Sequence, residues 1–229
     1  MTLEPLKLLS SMAAREVLAQ LCNAFTAQTG RTVATEAAGG VDVAKRIQAG
    51  EAADVVVLSD TAIDKLIASG QLRPGRVDLV KSGVGIAVRS GANRPDISTE
   101  AAVQAAVSAA SSISYSTGPS GVYLEKLFRR WGIFDAIEPR IVVPPPGIPV
   151  GSLVATGQAA LGFQQLSELL NVAGIEVLGP LPATIQTITT FSAGISVGCQ
   201  QPERAAQLLH FMRLPAATAV KQSYGLEPA

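Results

Sequence analysis

The sequence predicts an α/β protein with two lobes that the chain crosses twice. Strand-like and helix-like segments alternate along the first third, which is typical of a parallel sheet covered by helices on both faces. The strand-like run Val55-Val56-Val57-Leu58 is apolar throughout, as expected of a strand buried on both sides. Two long strand-like segments, 79–88 and 187–198, bracket the middle third and indicate that a second lobe is inserted there.

The first lobe is predicted from three short strands that each lead into a helix. The strands are expected at 6–10, 32–36 and 55–58. The helices are expected at 13–28, at 41–49 and after Ser59-Asp60, and Gly30 and Gly50 end the first two. Residues 37–40 read as a turn between the second strand and its helix.

The second lobe is predicted from strands near 113–116, 140–143 and 160–164, and two helices follow at the end of the chain. The predicted domain boundaries assign residues 1–80 and 192–229 to a discontinuous first lobe. Residues 81–191 then form the inserted second lobe.

The composition excludes several classes of protein. Among 229 residues, 48% are hydrophobic and 16% are charged, so the chain can bury a large core and is not expected to be disordered. A formal net charge of +0 and the lack of a basic stripe argue against a nucleic-acid partner. The apolar runs have the length of strands, so no insertion into a membrane is expected.

The N-terminal stretch MTLEPLKLLSSM has no basic region followed by an uninterrupted apolar segment. We therefore expect a cytoplasmic protein, or a periplasmic one if a signal peptide has been removed. A transporter is an expected partner only if the chain is exported.

Metal and cofactor sites are not expected. The chain has 1 histidine, which excludes metal clusters built on histidine. A disulfide between its 2 cysteines, Cys22 and Cys199, has no support from their spacing. Cys22 lies on the apolar face of the first helix, where packing is its expected role. The sequence predicts no cofactor.

The stretch SYSTGPSGVYLEKLF, residues 114–128, passes from a strand to a helix through small residues and hydroxyls. Serine and threonine at such a turn commonly cap the helix. The same amides and hydroxyls, at the positive end of a helix dipole, also bind anions. The turn alone leaves both interpretations open.

The segments LSSMAAREVLAQL, AGGVDVAKRIQAGEAADVVVLSD, YSTGPSGVYLEKLF, ALGFQQLSELL and FSAGISVG together resemble the molybdate-binding proteins and their type II solute-binding relatives. The resemblance covers nearly the whole chain. It implies a two-lobed type II periplasmic-binding-protein-like fold, in which each lobe is a mainly parallel sheet flanked by helices and two hinge strands join the lobes. It also implies that a small anionic ligand is held in a cleft lined by loops at the carboxyl ends of strands.

The resemblance implies a set of ligand-binding residues in four loops and one strand: Ser10, Ser11, Gly39, Gly40, Val41, Thr117, Ser120, Gly121, Ile148, Val150, Gln164 and Gln165. Helix capping is the alternative for the hydroxyls and for the turn at Ser120 and Gly121, and a tight turn is the alternative for Gly39 and Gly40. In the loop 146–150, main-chain amides of Gly147, Ile148 and Val150 are the available donors, because proline has none.

Two positions depart from the molybdate-binding pattern. Gly39, Gly40 and Val41 stand where a serine is expected, and Gln164 or Gln165 stands where a tyrosine is expected. An amide both donates and accepts hydrogen bonds, which suits a carboxyl or hydroxyl group. Since the two glutamines are adjacent on a strand, they point to opposite faces and at most one is expected to meet the ligand directly. The site therefore looks adapted to an organic ligand.

The segments SGVY, GFQQ, SEL and LPATIQTITTFSAGI resemble bacterial aconitate isomerases of the same superfamily more than they resemble molybdate-binding proteins. This similarity implies an enzyme that binds an organic di- or tricarboxylate and isomerises an unsaturated one such as aconitate. The alternative is a binding protein without catalysis, either a transport receptor or a cytoplasmic sensor for molybdate, tungstate or another oxyanion.

Proton transfer in aconitate needs a general base, and the catalytic residue stays unknown at this stage. Tyr115, Tyr123, Glu36 and the serines of the first loop are the candidates, and no arginine stands in the four loops. We expect the loop 117–121 to face Ser10 and Ser11 across the cleft, so that helix N-termini supply the positive potential.

Overall fold

The computed structural model describes residues 4–145 and 147–229. Contacts divide the chain into two compact units, which we call unit 1 (residues 4–81 and 190–229) and unit 2 (residues 82–189). The strands are β1 Leu6–Ser11, β2 Val33–Ala38, β3 Val55–Ser59, β4 Val77–Arg89, β5 Ile113–Tyr115, β6 Leu161–Gln165, β7 Ile175–Pro180, β8 Ile188–Ile195 and β9 Glu227–Pro228. The helices are α1 Arg15–Thr29, α2 Gly40–Gln48, α3 Asp60–Ala68, α4 Glu100–Ala109, α5 Pro119–Arg130, α6 Phe134–Ile137, α7 Val150–Ala155, α8 Leu166–Leu169, α9 Pro202–Arg213 and α10 Thr218–Ser223.

Unit 1 contains a sheet in which β2, β1 and β3 are parallel and β8 pairs antiparallel with β3. Successive side chains of β3 alternate between two cores, because neighbouring residues of a strand point to opposite faces. Val55 and Val57 pack with α1 and α9, whereas Val56 and Leu58 pack with α2 and α3. The apolar run is therefore a strand covered by helices on both sides.

Unit 2 is built around β4, β5, β6 and β7. The pair β5 and β6 is parallel, while β4 pairs antiparallel with both β6 and β7. Phe128 of α5 and Phe163 of β6 meet edge to face in its core, with ring centroids 6.0 Å apart. The chain passes between the units within β4 and returns within β8.

The α/β class and the two-lobed fold are confirmed, with differences in detail. Among the strands of unit 2, antiparallel pairs outnumber the parallel one, so its sheet is mixed and not mainly parallel. The strand predicted at 140–143 is reduced to an isolated bridge between Ile141 and Ile113. Ala37 and Ala38 extend β2 by pairing with Ser10 and Ser11, where the sequence suggested a turn. The sequence analysis did not anticipate α4 or β7.

Candidate functional site

The carboxyl ends of three parallel strands lie together at one edge of unit 1. In register, Ser10 of β1 pairs with Ala37 of β2 and with Val57 of β3. Each strand leads directly into a helical segment, and those that follow β2 and β3 begin after Gly39 and Ser59. Neither α2 nor α3 has a side-chain hydrogen bond at its N-cap, so first-turn amides are not capped in this way.

Ser11 carries a buried hydroxyl at this edge. Ser11 is 6% exposed, and its Oγ has no hydrogen-bond partner among the described residues. Although Ser11 stands at the N-cap of the short segment 12–14, it makes no side-chain capping bond. A buried polar atom without a partner costs free energy in the unliganded protein, which is typical of a group that bonds to a ligand.

The glycines of the second loop allow α2 to begin close to β1. A Cβ atom at Gly40 would lie 3.5 Å from Cβ of Ser11, and one at Gly39 would lie 2.9 Å from Oδ2 of Asp42. Ser10 is buried, whereas the side chain of Val41 is 45% exposed. The structure thus brings Ser10, Ser11, Gly39 and Gly40 to one edge of the sheet.

In unit 2 the strand ends of β5 and β6 are neighbours, since Tyr115 pairs with Phe163. Helix α5 begins at Pro119 after Gly118, and no side chain caps it. Ser120 is 2% exposed, and its Oγ lies 3.0 Å from Oγ of Ser116. Thr117 is exposed. These hydroxyls therefore do not cap the helix.

Gly121 has a steric reason to be glycine. A Cβ atom there would lie 1.5 Å from the carbonyl oxygen of Ser116, a distance that no side chain can adopt. The loop 116–118 consequently folds tightly over the first turn of α5. Close backbone approach accounts for this glycine by itself, and its contact with a ligand stays a prediction.

The two adjacent glutamines of β6 have different partners. Gln164 accepts a bond from the amide of Gly151 at 3.2 Å and donates to Oε1 of Glu168 at 2.8 Å. Gln165 donates from Nε2 to Oγ1 of Thr189 at 2.9 Å, and its Oε1 has no partner among the described residues. Gln164 thus binds the start of α7, whereas Gln165 keeps an unbonded acceptor.

The loop before α7 offers fewer donors than the sequence suggested. The amide of Ile148 already donates to the carbonyl of Pro145 at 3.0 Å, and the Ile148 side chain is 45% exposed. Val150 is buried and begins α7. Pro146 lies outside the described residues.

Two of the candidate bases named from the sequence, Tyr123 and Glu36, are already engaged in hydrogen bonds. The Tyr123 hydroxyl donates to the carbonyl of Ile185 at 2.8 Å, and Glu36 accepts from Arg46 at 2.5 Å. Burial raises the pKa of Tyr115, which makes it a weaker candidate as a base at neutral pH. Sequence reasoning missed Glu168, a carboxylate three residues beyond the end of β6, which the order of residues alone could have suggested.

A separate cavity of about 480 Å³ in unit 1 lies at the amino ends of β1 and β3, away from Ser10 and Ser11. Its charged groups have partners within the protein: Nζ of Lys7 lies 3.1 Å from Oε1 of Glu51, and Asp54 accepts from the backbone amide of Lys7 at 2.8 Å. Arg46 and Lys7 lower the pKa of Glu51 to about 2. We do not assign the ligand to this cavity.

A family model described as bacterial extracellular solute-binding protein matches residues 6–227. The chain belongs to this solute-binding family. A curated relative in sequence, the aconitate isomerase of Pseudomonas sp, is 40% identical over 190 residues, which cover 81% of this chain and 71% of that protein.

Solved structures show the same fold for this solute-binding protein. The periplasmic molybdate-binding protein of Azotobacter vinelandii is 24% identical, with a TM-score of 0.80 and coverage of 96% of this chain and 98% of that one. The sulfate-binding protein SubI from Mycobacterium tuberculosis H37Rv is 14% identical, with a TM-score of 0.80 and coverage of 99% and 88%. In residues 4–145 and 147–229, no helix combines the length and apolar character that a membrane span requires.

Proposed function

We propose that this solute-binding protein binds an organic di- or tricarboxylate and isomerises an unsaturated one such as aconitate. The observation that carries the proposal is the 40% identity to an aconitate isomerase over 190 residues. This identity is higher than the 24% identity to the periplasmic molybdate-binding protein.

The geometry of each unit is consistent with a carboxylate ligand. Unit 1 offers the unbonded hydroxyl of Ser11 and the first-turn amides of α2. Unit 2 offers the amides at the start of α5. Helix N-termini favour anions without any lysine or arginine, each by about 0.3–1 kcal/mol at exposed positions and more where buried. That both sets contact one ligand stays a prediction.

The proposed reaction is an allylic proton transfer. A base removes a proton from the carbon between a carboxylate and the double bond, the electron pair shifts the double bond by one position, and a proton returns to the other allylic carbon. Atoms and electrons balance without a cofactor. The residue that acts as the base is unassigned.

The test is incubation of the protein with trans-aconitate in deuterated water, followed by proton NMR. We expect formation of cis-aconitate and incorporation of deuterium into the allylic position. A preparation of Ser11→Ala should react more slowly at subsaturating substrate, because its affinity is reduced. The absence of both exchange and cis product with the unaltered chain would refute isomerase activity on this substrate.

A second candidate is ligand binding without catalysis. It is favoured by the engagement of Tyr123 and Glu36 in hydrogen bonds within the protein, which leaves the proposed reaction without an identified base. The ligand would then be a carboxylate or an oxyanion. A cytoplasmic location, and a transporter partner for an exported form, remain predictions.

A further inference from the structure

Gln165 has a buried hydrogen-bond partner that is distant in sequence. It is the last residue of β6 and is 4% exposed, and its Nε2 donates to Oγ1 of Thr189, which is 8% exposed. Ligands of α/β sheets bind beyond the carboxyl ends of strands, where Gln165 lies. Its neighbour Gln164 has both ends of its amide occupied and is unsuited to contact a ligand.

The free end of the Gln165 amide is a hydrogen-bond acceptor. A side-chain amide has an acceptor oxygen and a donor nitrogen, and Thr189 occupies the nitrogen. Oε1 of Gln165 is buried and has no donor among the described residues. Leaving such an oxygen unbonded is costly, so a ligand that supplies a donor gains affinity.

We propose that Gln165 selects ligands that present an O–H group, namely hydroxylated or singly protonated carboxylates, over anions without a donor. The inference rests on the proposed function, because it assumes that an organic anion binds at the strand ends. A fully ionised tetrahedral oxyanion has no hydrogen to donate and leaves Oε1 unbonded. A fully ionised carboxylate without a hydroxyl group places two acceptors against each other, so aconitate would meet Oε1 through a protonated carboxyl group.

The test compares two tricarboxylates of nearly the same shape, citrate and propane-1,2,3-tricarboxylate, which differ by one hydroxyl group. We expect the unaltered chain to bind citrate at least about tenfold more tightly by isothermal titration calorimetry, equivalent to about 1.4 kcal/mol. In the Gln165→Leu variant the ratio of the two dissociation constants should fall to about one, chiefly because citrate binds more weakly. Gln165→Met provides a second variant if the leucine variant does not fold, as judged by circular dichroism.

The outcomes separate this inference from the proposed function. Equal affinity for the two ligands in the unaltered chain, or a preference for citrate that persists in both variants, would overturn the role of Gln165 and leave carboxylate binding intact. Tighter binding of the ligand without the hydroxyl group would mean that the amide presents its nitrogen, and would overturn it as well. Failure of every carboxylate to bind would overturn both proposals.

Discussion

Three buried serines near strand ends differ in what their hydroxyls contact. Ser114 donates to the carbonyl of Val142 at 2.7 Å, and Ser120 pairs with Ser116 at 3.0 Å. The hydroxyl of Ser11 has no partner among the described residues. Removing a bonded hydroxyl leaves its partner unsatisfied, whereas removing an unbonded one does not. At the scale of residues, removal of a serine hydroxyl is therefore expected to reduce stability at Ser114 and to reduce ligand binding at Ser11.

The substitution Ser11→Ala should leave stability nearly unchanged and should weaken binding of a carboxylate by about 1–3 kcal/mol, since the anion loses a donor. Urea unfolding and calorimetric titration with trans-aconitate measure the two effects. The matched control is Ser114→Ala, which should lose about 1 kcal/mol of stability and keep its affinity. A Ser11→Ala protein that is destabilised but binds as before would assign this serine a structural role only.

At the scale of elements, a carboxylate links the two strands that the chain uses to cross between units. Asp78 of β4 accepts from Ser192 of β8 at 2.7 Å and from Arg76 at 2.9 Å, all within unit 1. Burial opposes ionisation of Asp78, but the bonds from Ser192 and Arg76 outweigh it and lower its pKa. The ionised form therefore stabilises the contact between β4 and β8.

A carboxyl whose pKa is lower in the folded state stabilises the fold above its unfolded pKa of about 3.9 and loses that effect as the pH falls. The Asp78→Asn variant should therefore be less stable at pH 7, by less than about 1 kcal/mol because the carboxylate is partly exposed. The difference should shrink between about pH 4 and pH 2. Urea unfolding at several pH values measures it, and Ser192→Ala should show part of the same effect. A constant difference across this range would exclude ionisation of Asp78 as the cause.

At the scale of the whole molecule, a ligand that binds only the folded chain stabilises it by mass action. At one hundred times the dissociation constant the gain is about 2.7 kcal/mol. We expect aconitate and related tricarboxylates to raise the melting temperature, and molybdate and tungstate at equal concentrations to do so much less. Differential scanning fluorimetry with both groups of anions measures this. Strong shifts with molybdate or tungstate alone would instead favour an oxyanion-binding protein.

The sequence by itself determined the α/β class and the parallel strands of the first lobe. Strand β3 shows why: every one of its residues is buried, and an unbroken apolar run is sufficient to predict that helices cover both faces. The burial of Cys22 follows an equally local pattern, its place on the apolar face of a helix. Such features depend on residues only a few positions apart.

Only the tertiary structure decided which polar groups remain free to bind a ligand. The sequence placed Gln164 and Gln165 on opposite faces, but it could not tell that Thr189, 24 residues away, bonds to the amide of Gln165. It likewise could not distinguish Ser11 from Ser114, whose acceptor lies 28 residues along the chain. The mixed pairing in unit 2 was missed for the same reason, since β4 meets β6 and β7 far along the chain. The packing of distant segments determines which groups become hydrogen-bond partners. The periodicity of a short stretch of sequence carries no information about that packing.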